Sequence, residues 1–361
     1  MENNFNDEKI AVIAITKKGL SIAKEIKNTF TAVDIYVPKK FSSPDYPAIY
    51  FDRSVTQEIE YLFNNYHSLI CIFSLGAVIR LISPHIKDKK TDPAVIVIDD
   101  ASKFVISTLS GHLGGANDLT LLVSKILNAI PVITTAADVN NTISVDLVGK
   151  KLGWVIDDYK NVTKVSAMMV NEDKIGVFQD AGEKDWLSIG SMPKNVEIVD
   201  NLTDLKTDKY NASLIITDKL ITDDLLLTKS VVYRPKTLVV GIGLHWTTSK
   251  ETIETGIKSV LEENQLSFKS IRCISSIDKG RPVRGLDEFC KDHNLDLLLY
   301  SKEKLGEVKV PNPSELVGKY EGTASVSEAS SLIASNGGFL LVPKKKFPPD
   351  LTVAISKINV R

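Results

Sequence analysis

This sequence predicts an α/β protein: an N-terminal parallel-sheet domain, a small middle α/β domain and a C-terminal α/β domain. Three observations carry that prediction. Short apolar runs rich in β-branched residues recur along the chain. Stretches with helical apolar spacing lie between them, and strands alternating with helices argue for a parallel sheet. The length of 361 residues suits two or three domains, and 43% apolar with 25% charged residues is ordinary globular usage.

In the N-terminal domain, residues 1–145, the runs Ile10 to Ile15, Val33 to Val37, Leu69 to Phe73 and Ala94 to Ile98 read as strands buried on both faces. Phe104 to Leu109 and Val132 to Thr135 are further strand candidates. Ile22, Ala23, Ile26 and Phe30 follow helical spacing, as do Leu119, Leu122, Val123, Ile126 and Leu127. The middle domain, residues 146–232, has a helical pattern at Val162, Val165 and Met169 and strand patterns at Lys174 to Phe178 and Ser213 to Thr217. The C-terminal domain, residues 233–361, opens on a buried-strand pattern from Thr237 to Gly241. Thr248 with Glu251, and Ser325 with Glu328, have capping-box spacing ahead of apolar helical stripes. Gly338 to Val342 and Leu351 to Ile355 read as closing strands.

Composition excludes several function classes. A net charge of −1 gives no electrostatic reason to expect nucleic acid or an acidic membrane surface. Cys71, Cys273 and Cys290 form no C-x-x-C pair and no zinc spacing, and this usage fits a reducing cytoplasm. No histidine and carboxylate spacing suggests a dedicated metal site. The polar, acidic start from Met1 to Glu8 does not resemble a signal peptide, and no apolar run approaches the roughly 20 residues that span a bilayer. A cytoplasmic protein acting on a small molecule is expected; a homodimer is an open option.

The densest motif is Ser110-Gly111-His112-Leu113-Gly114-Gly115-Ala116-Asn117, between a predicted strand and a predicted helix. Glycines let backbone approach a ligand, and free amides at a helix start attract anions. Ser110, His112 and Asn117 add side-chain hydrogen bonds, and histidine exchanges protons near neutral pH. The same residues would also make a tight turn carrying a surface histidine. The spacing matches neither the dinucleotide fingerprint nor a Walker loop, nor a serine-hydrolase elbow.

A second junction, Ser74 to Arg80, puts Arg80 on a helix where it could grip a carboxylate. Lys87, Lys89 and Lys90 follow, and a solvated basic loop is the other reading. Thr134 to Asp138 follows a further strand, with Asp146 eight residues on; Asp138 could orient His112, activate water or cap a turn. All three features are expected at the carboxyl edge of one parallel sheet. In the C-terminal domain, Gly241-Ile242-Gly243-Leu244-His245 has the look of a phosphate-type turn, and Gly322 to Ser325 of a second anion nest; both signals are weak when met singly.

These residues carry a resemblance. The run from Asp92-Pro93-Ala94-Val95 through the Ser110–Asn117 motif to Thr134-Thr135-Ala136-Ala137-Asp138-Val139 resembles the cobalt-precorrin-5A hydrolase family of anaerobic cobalamin biosynthesis. So do Gly241-Ile242-Gly243, Ser276-Ile277-Asp278, Gly322-Thr323 with Ser325 to Ala329, and Thr352 to Ile355. The likeness spans nearly the whole chain. It departs at Leu244-His245, where the family often has Cys-Arg, and at Lys279-Gly280-Arg281-Pro282, where acidic residues are common.

The resemblance implies an enzyme that opens the lactone of a cobalt-bearing, polycarboxylate macrocycle and expels acetaldehyde. It needs no cofactor of its own, because cobalt arrives with the substrate. By residue type and position, His112 and Asp138 are the expected catalytic pair. Arg80, Ser110, Gly111, Gly114, Gly115, Asn117, Gly241, Gly243 and His245 are expected to bind substrate. The rival expectation is a non-catalytic carrier of corrinoid intermediates.

Overall fold

A computed structural model describes residues 8–30, 33–43, 46–187, 192–313 and 325–359. The chain divides into two compact units, Met1–Leu147 and Val148–Arg361. No helix among the described residues is long and apolar enough to cross a membrane.

The first unit holds a seven-stranded sheet. Its strands are β1 (Ile10–Ala14), β2 (Val33–Pro38), β3 (Ile49–Phe51), β4 (Ser68–Ile72), β5 (Ala94–Ile98), β6 (Phe104–Leu109) and β7 (Ile130–Val132), in the order β3-β2-β1-β4-β5-β6-β7. Helices α1 (Lys17–Thr29), α2 (Val55–Asn65), α3 (Leu75–Ile82), α4 (Ala116–Leu127) and the short α5 (Ala136–Val139) complete it.

Strand periodicity explains the two-sided core. Ile10, Val12 and Ala14 of β1 pack with Ile22, Ala23 and Ile26 of α1 and with Leu119 and Val123 of α4. Ala11 and Ile13 point the other way, toward Ile59 and Leu62 of α2 and Val78 and Ile82 of α3. Each fully buried aliphatic side chain contributes roughly 1.5–3 kcal/mol. Local caps set the helix starts: Thr16 Oγ1 accepts from the Gly19 amide at 2.8 Å, and Ser54 with Gln57 forms a complete capping box.

β1 to β5 are parallel, but β6 runs antiparallel to β5, with Val97 opposite Ile106 and Ile98 opposite Val105. β7 follows the direction of β6. This corrects the expectation of a single carboxyl edge. The Ser74–Gly76 junction follows the carboxyl end of β4. Ser110 and Thr134, which follow β6 and β7, lie at the amino end of β5. The physical cause is the five-residue link Asp99 to Lys103, too short for a parallel crossover. The Asp99 carboxylate accepts from the amides of Ala101, Lys103 and Phe104, and Ser102 takes a positive φ of 57°. β7 also ends at Val132, so Thr134 and Thr135 are loop rather than strand.

The second unit has two five-stranded sheets. One contains β8 (Val155–Ile156), β9 (Ile175–Gln179), β10 (Val196–Val199), β11 (Ala212–Ile216) and β12 (Ser230–Arg234), ordered β10-β9-β11-β12-β8. Helices α6 (Val162–Val170) and α7 (Asp224–Lys229) belong to it, and α6 buries Val162, Val165 and Met169 as its pattern predicts. The other sheet has β13 (Leu238–Leu244), β14 (Ile271–Ile277), β15 (Asp296–Tyr300), β16 (Phe339–Phe347) and β17 (Leu351–Lys357), ordered β15-β14-β13-β17-β16. It carries α8 (Lys250–Glu263), α9 (Arg284–Asp292), α10 (Lys302–Gly306) and α11 (Val326–Ala334).

Arg234 is 1% exposed and, within the first of these sheets, donates to Asp157 Oδ2 at 2.8 Å. The buried Asp218 carboxylate links the two sheets, accepting from Thr237 and from Lys357 of β17.

Three expectations change in the C-terminal sheet. Gly241 and Gly243 lie inside β13, paired with Ala354 and Thr352 of β17, and do not form a turn. They have packing reasons instead. A Cβ on Gly241 would sit 1.9 Å from the Ser327 carbonyl oxygen of α11, and one on Gly243 would sit 2.4 Å from Thr352 Oγ1. Helix α8 is capped by Ser249, not Thr248, whose hydroxyl bonds the Asp350 carbonyl. Glu328 does not complete a capping box; its buried carboxylate accepts from Asn312 and from the Lys344 amide. Gly322 to Ala324 of the second suggested nest lie outside the described residues.

Candidate active site

The loop from Ser110 to Gly115 turns the chain from β6 into α4. Ser110 adopts φ 54° and its hydroxyl donates to the Asp92 carbonyl at 3.0 Å. Gly115, at φ 88°, is the residue before the first helical turn, a backbone shape that favours glycine. Gly114 is needed for closeness: a Cβ there would lie 2.4 Å from Ser110 Cβ. The amides of Gly115, Ala116 and Asn117 donate to the carbonyls of His112, Ser110 and Gly111. These three donors are therefore spent inside the loop, and the expected anion nest at Gly115 is not open in this form.

The loop instead aims a side chain. His112 stands between two carboxylates. Its Nε2 lies 3.1 Å from Asp138 Oδ2 and its Nδ1 lies 3.1 Å from Asp146 Oδ1. The His112 and Asp146 side chains are 15% and 12% exposed, whereas Asp138 is 40% exposed. The Asp146 hydrogen bond, helped by both negative charges and opposed by burial, holds the imidazole above its ordinary range. Burial pushes Asp146 up, but the His112 bond and charge, with Lys89 beyond, outweigh it and hold the carboxyl below its ordinary range. With an acceptor on each nitrogen, the doubly protonated ring is the favoured form.

Asn117, in the first turn of α4, also reaches Asp138: its Nδ2 donates to Asp138 Oδ2 at 2.7 Å and to Thr135 Oγ1 at 3.0 Å. Its Oδ1 accepts from Ser107 Oγ of β6 at 2.6 Å. Gly111 lies against this carboxamide. The arrangement is a half-buried hydrogen-bonded cluster of one imidazole, two carboxylates and one carboxamide, in which Asp138 is the member open to solvent.

Of the residues expected to act together, the structure groups His112, Asp138, Asn117, Ser110, Gly111, Gly114 and Gly115. Arg80 sits in the last turn of α3, and its Nη1 donates to the Gly76 carbonyl of its own helix at 3.1 Å. Gly241, Gly243 and His245 belong to the other unit; the His245 amide donates to the Asp350 carbonyl and Thr248 Oγ1. Asp146, Ser107, Thr135 and Lys89 are contributors that motif reading left without a role. Asp146 had one usable signal, a carboxylate set between apolar Val145 and Leu147 and Val148. Among the described residues no group of three or more His, Cys, Asp or Glu side chains could hold a metal ion.

Comparison with known proteins settles the family. Residues 57–138 match the family model described as Cobalamin synthesis G N-terminal, residues 143–235 the Cobalamin biosynthesis central region, and residues 238–356 the Cobalamin synthesis G C-terminus. The chain is 41% identical over 354 residues to the cobalt-precorrin-5A hydrolase of Priestia megaterium, covering 96% of this chain and 94% of that protein. The chain belongs to the cobalt-precorrin-5A hydrolase family. A second family relative, the cobalt-precorrin-5A hydrolase of Salmonella typhimurium, is 30% identical over 340 residues, with 94% and 95% of the two chains covered. Among solved structures, a cobalamin biosynthesis protein G homologue from Sulfolobus solfataricus is 23% identical, covers 97% of each chain and has a TM-score of 0.39. The His112 cluster falls within and just beyond the stretch that matches the N-terminal family model.

Proposed function

We propose that this chain is a cobalt-precorrin-5A hydrolase, opening the substrate's lactone and releasing acetaldehyde to leave cobalt-precorrin-5B. The observation that carries this reading is 41% identity over 96% of the chain to a relative of that name. The chemistry has two parts. Water adds to the lactone carbonyl and the ring C–O bond breaks, giving a carboxylic acid and a carbinol. The carbinol then loses its hydroxyl proton, its bond to the macrocycle breaks, and the carbon leaves with its methyl group as acetaldehyde while the ring carbon takes up a proton.

Both parts need a group that accepts and returns a proton, and the His112–Asp138 pair supports that need. Asp138 is the exposed carboxylate that accepts a proton from water or hydroxyl. His112, cationic between its carboxylates, holds Asp138 Oδ2 by a charge-assisted hydrogen bond at 3.1 Å and offsets negative charge that develops beside it. The substrate's own carboxylates suit the basic loop at Lys87 and Lys89, which is tied to the site where the Asp92 carboxylate accepts from the Lys87 amide and the Asp92 carbonyl from Ser110. In this reading the protein works in the cytoplasm and carries no resident cofactor, cobalt being part of the substrate.

The test is incubation of purified protein with cobalt-precorrin-5A and an assay for acetaldehyde. Wild type should release it, and His112→Ala and Asp138→Asn should be slowed by roughly 100- to 10,000-fold. Tight binding of the macrocycle by wild type with no acetaldehyde would instead make the chain a carrier. Release at the wild-type rate by His112→Ala would remove the cluster from the reaction.

A further inference from the structure

Asn117 is only 7% exposed, and every hydrogen-bonding atom of its carboxamide is used. A buried amide is costly unless satisfied, and full satisfaction leaves it one orientation. Ser107 sets that orientation. Its hydroxyl donates to Oδ1, which turns Nδ2 toward Thr135 and Asp138. Gly111 makes the space, because a Cβ at that position would sit 2.6 Å from Asn117 Oδ1. The backbone is fixed as well, since the Asn117 amide donates to the Gly111 carbonyl at 2.9 Å.

Asp138 is the opposite kind of residue: it lies on the four-residue helix α5 and is 40% exposed. Unaided, such a carboxylate swings into solvent. Its Oδ2 takes hydrogen bonds from both Asn117 Nδ2 and His112 Nε2, whereas no hydrogen bond from a described residue reaches Oδ1.

We infer that Asn117 is a positioning residue: it pins one oxygen of Asp138 against His112 so that the other meets the attacking water or the substrate hydroxyl. The catalytic consequence rests on the proposed reaction; the pinning itself does not. Ser107 and Gly111 act one step further back, by fixing Asn117. The motif spacing from Gly111 to Asn117 then has a definite purpose. The glycine at its start clears the volume that the asparagine at its end fills. The charged groups around His112 are Asp138 and Asp146 on its two nitrogens and Lys89 beyond Asp146.

Two measurements on the full-length protein test this. The chain has five histidines, so the His112 ring can be followed by nitrogen-15 NMR through a pH titration. In Asn117→Ala the released Asp138 leaves Nε2, and the His112 titration point falls. Adding Asp138→Asn to Asn117→Ala should then lower it little further, because the carboxylate it neutralises has already gone. Kinetically, Asn117→Ala should lose roughly 10- to 100-fold in kcat with KM changed less than about threefold, the signature of a misplaced reacting group. Asn117→Asp keeps the shape but sets two carboxylates at hydrogen-bond distance, where both cannot ionise together. Its acid limb in kcat/KM should move to higher pH. Should Asn117→Ala fold poorly, Ser107→Ala removes only the orienting hydroxyl and should move both readouts the same way by less. An unchanged His112 titration in Asn117→Ala, or superimposable pH profiles for Asn117→Asp and wild type, overturns the inference. If wild type releases no acetaldehyde, the proposed reaction fails, while the NMR titration still decides whether Asn117 pins Asp138.

Discussion

Replacing Asp146 by Asn isolates the charge on the inner face of His112. The amide oxygen can occupy the place of Asp146 Oδ1, 3.1 Å from Nδ1, and still accept its proton. What disappears is charge assistance. A hydrogen bond to a charged partner contributes roughly 1.5–3 kcal/mol and a neutral one roughly 0.5–1.5 kcal/mol, so the substitution should cost about 1–1.5 kcal/mol while His112 is cationic. The two side chains are 12% and 15% exposed, so solvent and salt weaken this pair less than a surface pair.

The pH dependence follows from the directions of the two shifts. His112 is held above its ordinary 6.5, so its contribution is complete below pH 6.5 and fades as pH rises through the folded value. Asp146 is held below its ordinary 3.8, so its contribution is complete above pH 3.8 and is lost in stronger acid. The pair is fully engaged between those limits. The penalty for Asp146→Asn should be close to its full size at pH 5.5 and should be smaller at pH 9, by the part that the imidazolium charge contributes. All three tryptophans, Trp154, Trp186 and Trp246, lie beyond Leu147, so their fluorescence reports on the other unit. Amide hydrogen exchange over Phe104 to Leu127, corrected for intrinsic rates at each pH, reads the right region. An equal penalty at both pH values, or a larger one at pH 9, would refute the assignment of charge to this pair.

Gly241→Ala tests the packing account of the C-terminal glycines. A Cβ 1.9 Å from the Ser327 carbonyl forces α11 off β13 by more than about 1 Å, and overpacking of this kind costs about 1–3 kcal/mol and occasionally more. A lowered urea midpoint followed by tryptophan fluorescence is expected, and an unchanged midpoint would contradict it. The thiols give a chemical check. Burial pushes Cys71 and Cys290 up to about 12 and Cys273 up to about 11, so almost no thiolate exists at pH 8. A disulfide-exchange reagent should find no fast-reacting thiol in the native protein and three in urea; a fast native reaction would show that one of these sites is open.

How much of this was legible in the sequence depends on the range of the interaction that decides it. Helix and strand identity came from local periodicity, and the buried faces of α1, α4 and α6 are the ones their apolar spacing marks. Glycines were the hardest residues to read, because their reasons are contacts made by distant atoms. Gly241 and Gly243 sit in a strand against α11 and Thr352, where a G-x-G spacing suggested a turn. Likewise, Glu328 has the spacing of a capping box but meets Asn312 and Lys344, which only tertiary structure brings near.

The direction of β6 is a different matter, because its signal was present and local. Asp99-Asp100-Ala101-Ser102-Lys103 separates two apolar strands by five residues. A parallel return needs a dozen or more, so a hairpin was the only connection that fits. Following that through moves Ser110, and with it His112, from the carboxyl edge to the amino end of β5. It also separates the His112 cluster from the Ser74–Gly76 junction that the parallel reading had placed beside it. In an open α/β sheet the carboxyl edge is the default place to look for ligands. Here the reversed pair β6 and β7 gives the opposite edge two strand-to-helix junctions of its own, at Ser110 and Thr135. They deliver His112 and Asn117 from one and Asp138 from the other to within hydrogen-bond distance. The reversal therefore does for this edge what the parallel strands do for the other, and it is why the His112 cluster forms at this end.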